Sequence, residues 1–413
     1  MNIHTSIASH KTMYSIRRSC YQALQSRTAP PIFTTTTRRA FSQTPIPHRG
    51  SLPVYLEASK PELTDRLATT NSRILLPKLL TKEQEQLIYK PRNKARLEAD
   101  PIEITLGDVT LPLEHIDRNR DIPSRRKNLY RIIELSETKE DWENVLRVAI
   151  GYESAGIHLK PEWKQKVVRH LNEAGAQHLI LKALQRASST GISLRDWDIL
   201  VEVLKAARNI AAQADWEQEE LQKALKFAEQ VVELMEDDVH LGRAKGEADY
   251  RTHPSVIAVP LEMAAELAYR HEGDTARVKK YAGKLMKGLQ QRGFFDPEQQ
   301  TTLTALRTLS ATPPSDLPSP DEKTRVFFAS LSHIHALIPI WNALSTTRTV
   351  LDTEMPMPAE AEATQQSIFA ALQEALKALE VLGARPNGAE NRFKSQLATV
   401  RAEIEQCLDE GTD

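Results

Sequence analysis

From about residue 128 onward, apolar residues recur every three or four positions, the spacing of a helix with one buried face. Thr138 followed by Asp141 has the form of a capping box. Trp142, Val145, Leu146 and Ala149 then line one side until Gly156 stops the run. Pro161 suits a first helical turn, where its missing N–H costs nothing, and Trp163, Val167, Val168 and Leu171 form the next stripe, ending at Gly175. Leu179, Ala183, Leu184 and Ala187 carry a further helix to Gly191. Longer amphipathic helices are predicted over 214–237 (Trp216, Leu221, Leu225, Ala228, Val232, Met235) and 255–271, with a polar loop at 238–253 between them.

The pattern differs at both ends. Residues 50–130 are extended and punctuated by Pro, with one helix predicted at 81–99 from the N-cap Thr81. Over 101–116 the alternation of Ile102, Ile104 and Leu106 with polar partners predicts a short hairpin or extended arm. ATPPSDLPSPDE at 311–322 reads as a Pro/Ser-rich linker. Three helices follow, at 323–350, 361–383 and 389–410. Ile368, Ala371, Leu372, Ala375, Leu376, Leu379 and Leu382 are placed to face Phe393, Leu397, Val400, Ile404 and Leu408 in a helical hairpin. The expected divisions are a leader at 1–48, a basic extended arm at 49–130, a helical body at 131–310, the linker, and a helical bundle at 323–410. Composition strengthens the helical reading: Gly is scarce (15 residues), aromatics make up 6%, and the good helix formers dominate.

The helical body also echoes itself. SAGIHLKPEW at 154–163 is matched by STGISLRDW at 189–197, and Gly156 and Gly191 stand 35 residues apart. Each unit reads helix, turn, helix, then a Gly-Ile-x-Leu loop, and such pairs must stack to bury their apolar faces. That unit length, with its terminal Gly-Ile before a helix start, resembles pentatricopeptide repeats. LAYRHEGDTARVKKYAGKL at 267–285 resembles the middle of a tetratricopeptide repeat. There Leu267 and Ala268 lie on the first helix, Gly273–Asp274 at the turn, and Val278, Tyr281, Ala282 and Leu285 on the second. The tryptophan-containing start and proline end of that family are missing. These resemblances imply a mainly α fold: an α-solenoid of antiparallel helix pairs with a C-terminal helical cap and an extended N-terminal arm.

Charge changes the picture more than composition does. The net charge of −1 conceals seven cations in residues 1–50 (Lys11, Arg17, Arg18, Arg27, Arg38, Arg39 and Arg49) and no acid there, leaving −8 on the remainder. An Arg- and Ser-rich, acid-free N-terminus has the composition of a mitochondrial presequence. Residues 12–28 fit, with Met13, Ile16, Cys20 and Leu24 on one helical face and Arg17, Arg18 and Gln25 available for the other. RRAFSQT then resembles fungal processing sites. Arg39 lies two residues before a cut, Phe41 just after it and Thr44 three further on, so that an intermediate peptidase would next remove Phe41–His48. A single cut after Phe41 fits equally well. The expected location is the mitochondrial matrix.

In the remaining chain, basic residues gather as Lys90, Arg92, Lys94 and Arg96, and again as Arg118, Arg120, Arg125, Arg126, Lys127 and Arg131. This density suits phosphate contacts that weaken steeply with salt. A solvated surface or an acidic protein partner explains it as well, because only Tyr89 and Tyr130 interleave the charges. Trp142, Trp163, Trp197 and Trp216 each begin a predicted helix on its apolar side, as inter-repeat packing requires, with base stacking the alternative.

Catalytic patterns are missing. No Gly-rich phosphate loop, paired-Cys zinc spacing or Gly-x-Ser-x-Gly elbow occurs. His333 and His335 point to different sides of a helix, His170 and His178 read as ordinary surface histidines, and Glu219–Glu220 and Asp237–Asp238 as solvated acids. Of two cysteines, Cys20 lies in the leader and Cys407 near the C-terminus, which leaves no internal disulfide after processing. The most apolar stretch, VFFASLSHIHALIPIWNAL at 326–344, carries His333, His335, Pro339 and Asn342 and reads as a buried helix rather than a membrane span. The sequence therefore predicts a non-enzymatic protein with no cofactor or metal, not integral to a membrane. Two functions compete: a gene-expression factor binding mitochondrial RNA or the mitoribosome, and a tetratricopeptide-like scaffold for protein partners in respiratory-complex assembly.

Overall fold

The strongest local signals in the chain are helix caps, and the computed structural model realises them. It describes residues 50–241, 249–296, 298–299, 301–383 and 390–409, the side chains of 383, 390–395 and 406–409 excepted. The processing-site residues Arg39, Phe41 and Thr44 lie outside the described residues. The fold is mainly α, about 73% helical with almost no sheet.

Residues 50–60 run as an extended strap into α1 (Pro61–Thr69), a π-helical turn (Thr70–Leu75) and α2 (Leu76–Leu79). The sequence pattern does not reveal these helices. At 3.6 residues per turn Leu75 and Leu79 fall out of phase with Leu63, Leu67 and Ile74, so the stripe breaks at the wider π turn. Thr81 caps α3 (Lys82–Tyr89), accepting from the Gln84 amide at 3.3 Å while Gln84 Oε1 accepts from the Thr81 amide at 2.9 Å. The helix expected over 81–99 is interrupted. Pro91 holds Lys90 in an extended conformation, and a 3₁₀ turn (Pro91–Asn93) precedes α4 (Lys94–Ala99). The predicted hairpin is present as β1 (Glu103–Leu106) and β2 (Val109–Pro112), antiparallel with Glu103 opposite Pro112 and Leu106 opposite Val109.

The helices that follow are α5 (Arg125–Leu135), α6 (Lys139–Ser154), α7 (Pro161–Glu173), α8 (Gln177–Gln185), α9 (Ala187–Thr190), α10 (Trp197–Ala212) and α11 (Gln218–Leu234). Then come α12 (Pro254–His271), α13 (Thr275–Gln291), α14 (Thr302–Ala311), α15 (Pro320–Leu351), α16 (Pro358–Gly383) and α17 (Glu390–Asp409). Thr138 and Asp141 close the capping box of α6. Gly156 and Gly175 take left-handed φ values of 68° and 69°. This lets Ile157 and Ala176 donate back to the carbonyls of Tyr152 and Leu171, each at 2.8 Å, in Schellman motifs. The two Gly-Ile-x-Leu loops serve alike, burying Ile157 and Leu159 in one and Ile192 and Leu194 in the other.

Consecutive helices pack on one another from α10 to α13, α7 lies against α10, and α12 rests along α15. One apolar cluster joins the strap and arm to α5–α8 and α10–α12; a second joins α10–α17. Residues on both sides of the Pro/Ser-rich stretch share the second cluster, Leu306 on α14 with Val326 and Phe327 on α15. The apolar helix Pro320–Glu354 meets the length and composition of a membrane span, yet 72% of its most apolar window is buried within the protein. Val400 and Ile404 of α17 are buried in that cluster and Leu397 packs against it, while Phe393 and Leu408 lie outside the described side chains.

Candidate nucleic-acid interface

The basic arm is fixed to the helical body by its own backbone. On α6, buried Asn144 accepts the Leu56 N–H at 2.8 Å and donates to the Leu56 carbonyl at 3.0 Å, pairing with the strap as a neighbouring strand would. Asp141 accepts the Ser59 amide at 3.0 Å and the Ser59 hydroxyl at 2.6 Å, with the amides of Glu137 and Thr138 at 3.1 and 3.0 Å. Burial raises the pKa of this carboxyl, but the four hydrogen bonds outweigh it and hold the value at about 2. Arg147 donates to the Val54 carbonyl and Asn71 to that of Pro53. Gly151 admits Pro53: a Cβ there would come within 2.8 Å of Leu75 Cδ1 and 3.0 Å of Pro53 Cγ.

The loop after the hairpin returns to α3, where the Ile88 carbonyl accepts the Ile116 amide at 2.9 Å and lies 2.8 Å from His115 Nδ1. This brings Arg118 beside the first basic cluster. Its guanidinium sits 4.0 Å from the Tyr89 ring centroid and donates to Glu85 at 3.3 Å. Lys90 donates to Gln86 at 2.7 Å, and Lys94 stands 4.0 Å from Glu98. Arg131 is committed to the fold, binding Glu62 on α1 through two 2.9 Å hydrogen bonds that hold the Glu62 carboxyl below its ordinary range.

Six of the ten candidate cations are left. Arg92, Arg96, Arg120, Arg125, Arg126 and Lys127 are all exposed, and none has an ion-pair partner among the described residues. Arg120 sits in a turn with Asp117 and Asp121. Neither tyrosine offers an open ring on both faces, since Arg118 covers Tyr89 and Lys166 lies 3.7 Å from the Tyr130 centroid. Exposed guanidinium and ammonium groups without stacking partners suit phosphate contacts, which position a nucleic acid without reading its sequence.

The other candidate chemistry separates as the helical spacing requires. His335 turns toward α17, where Glu403 lies at 3.2 Å and also takes Lys205 at 2.9 Å. Although burial opposes it, His335 and Lys205 hold the Glu403 carboxyl well below its usual range. His333 turns away to a cavity. His170 pairs with Glu173 at 2.8 Å. Among the described residues, no group of three or more His, Cys, Asp or Glu side chains is gathered to hold a metal ion.

Comparison with known proteins gives this surface a context. The sequence profile of the family described as mitochondrial ribosomal protein mS27 matches residues 39–406. The small ribosomal subunit protein mS27 of Neurospora crassa is 26% identical over 242 residues, or 56% of this chain. That match spans 61% of the relative's length.

Proposed function

The chain belongs to the mitochondrial ribosomal protein mS27 family, and on that premise we propose that it is a non-enzymatic part of the small subunit of the mitochondrial ribosome. The observation that carries the docking mode is the set of six exposed cations with no ion-pair partner among the described residues: Arg92, Arg96, Arg120, Arg125, Arg126 and Lys127. They contact ribosomal RNA phosphates. Lys90, Lys94, Arg118 and Arg131, held by neighbours in the chain itself, shape the arm instead. In this reading the leader at 1–48 delivers the chain to the matrix, and the helix pairs from α6 onward act as degenerate solenoid repeats that meet neighbouring ribosomal proteins.

The test replaces the six cations with Gln and follows co-sedimentation with isolated small subunits across a salt series. The intact chain should lose affinity as salt rises. The six-Gln variant, with an unchanged circular dichroism spectrum, should bind at least about tenfold more weakly with a shallower salt slope. Unchanged sedimentation of the variant would remove the docking assignment. If the chain purified from mitochondria ignores ribosome dissociation by EDTA and carries subunits of one respiratory complex, the ribosomal reading itself fails.

A further inference from the structure

Where α11, α12 and α13 meet, Val232, Ile257, Pro260 and the Tyr281 ring wall an apolar cavity of about 280 Å³, with no acid in its lining among the described residues. Gly288 brings α13 close to α12 at one end. A Cβ there would stand 3.2 Å from Ile257 Cδ1 and 3.3 Å from the Thr252 carbonyl oxygen. The cavity is smaller than most small-molecule sites, which run to roughly 300–1,000 Å³, and has room for one aromatic or two aliphatic side chains.

The rim carries the charge. On α13, Arg277 and Lys279 are taken by Glu229 and Glu354. Lys280, Lys284 and Lys287 are exposed and have no ion-pair partner among the described residues. Their spacing of four and three residues puts all three on one face of the helix, and Lys284 and Lys287 border the cavity. Lys284 Nζ lies 5.6 Å from the Tyr281 ring centroid. The acids that bind lining residues are engaged away from these lysines: Glu229 accepts the Tyr281 hydroxyl at 2.6 Å, and Glu236 and Asp249 hold Arg251. Three cations without a counter-charge therefore stand beside an apolar recess.

This pairing selects the occupant. The segments of the chain outside the described residues do not fit it. Residues 1–49 are basic and acid-free, and 242–248, 384–389 and 410–413 carry no large apolar side chain. A nucleic acid would use the lysines but would set polar base edges against aliphatic walls. A protein segment that combines a bulky apolar residue with flanking acids satisfies both features at once. We propose that this groove docks an acidic segment of a partner protein. One aromatic or aliphatic side chain of that segment anchors in the cavity, and its Asp or Glu residues meet Lys280, Lys284 and Lys287. This sharpens the contact of the helix pairs with neighbouring ribosomal proteins, and rests on the ribosomal reading only for where the partner is found.

The test places the photo-crosslinking residue p-benzoylphenylalanine at Gln291, an exposed position lining the cavity, in the full chain within intact mitochondria. The crosslinked peptide should come from another protein and carry Asp or Glu residues around a large apolar side chain. Two variants follow in the same background: Lys280→Glu, Lys284→Glu and Lys287→Glu combined, and Val232→Phe, which fills the cavity from α11. Each variant that keeps the wild-type melting temperature should lower the crosslink yield at least about tenfold. The three lysines are exposed, so their reversal keeps the test open should Val232→Phe fail to fold. A matching peptide from a protein outside the ribosome leaves this docking site standing and counts against the ribosomal reading alone. Crosslinks to RNA, to lipid, to a second copy of this chain or to a peptide without acids overturn the proposal. So does the absence of any crosslink, or full yield in the folded variants.

Discussion

Asp141 shows how one side chain can serve two elements. Its two oxygens finish the N-terminus of α6 through the amides of Glu137 and Thr138, and also hold Ser59 of the strap. Because its folded pKa of about 2 lies below the value of about 3.9 in an unfolded chain, its ionised form stabilises the fold at neutral pH. That contribution is complete above pH 4 and is lost as pH falls toward 2. Asp141→Asn, which points an NH₂ group at amide donors, should cost about 1–3 kcal/mol at pH 7 in urea unfolding. The gap between wild type and variant should close on acidification from pH 4 to pH 2. A gap constant over that range would show that the carboxylate charge is not what holds the strap.

Between elements, the decisive contact is a buried knot. Arg208 on α10 donates to Glu262 on α12 at 2.9 Å, and Asn342 on α15 donates to the same oxygen at 2.7 Å. Burial pushes the Glu262 carboxyl up to about 7 while Arg208 pulls the other way. Arg208→Ala would strand that acid in the interior and should cost about 3–5 kcal/mol in denaturant unfolding. A cost below 1 kcal/mol would mean that water reaches Glu262. At this scale the sequence was legible where local chemistry decides. Thr81 and Thr138 announce their caps, Gly156 and Gly175 their stops, and the three C-terminal helices fall within a few residues of their expected ends. It was illegible where the third dimension decides. Asp141 reads only as a capping residue and nothing in the pattern singles out Asn144 or Arg147, yet all three hold the strap, and Thr-rich α14 lacks the propensity to declare itself. The candidate interface divides in the same way. The density of its cations is plain in the sequence, whereas the acids that neutralise Arg118 and Arg131 sit 33 and 69 residues away.

For the chain as a whole, α10, α11 and α12 matter most, because each supplies residues to both apolar clusters: Leu200, Phe227 and Val259 to the first, Ala211, Leu225 and Leu261 to the second. Two clusters sharing three helices should melt together. Single-tryptophan variants keeping Trp142 (first cluster) or Trp341 (second) should therefore report coincident urea transitions; separated midpoints would show independent units. The strap gives the chain a direction in time as well. Leu56 and Asn144 are 88 residues apart, so the strap can dock only when α6 has reached the same compartment. Until then its backbone amides and carbonyls are open to any passing strand or chaperone. Closing so long a loop costs chain entropy that contacts within α6 and its near neighbours do not, so strap docking should follow them and complete the N-terminal half.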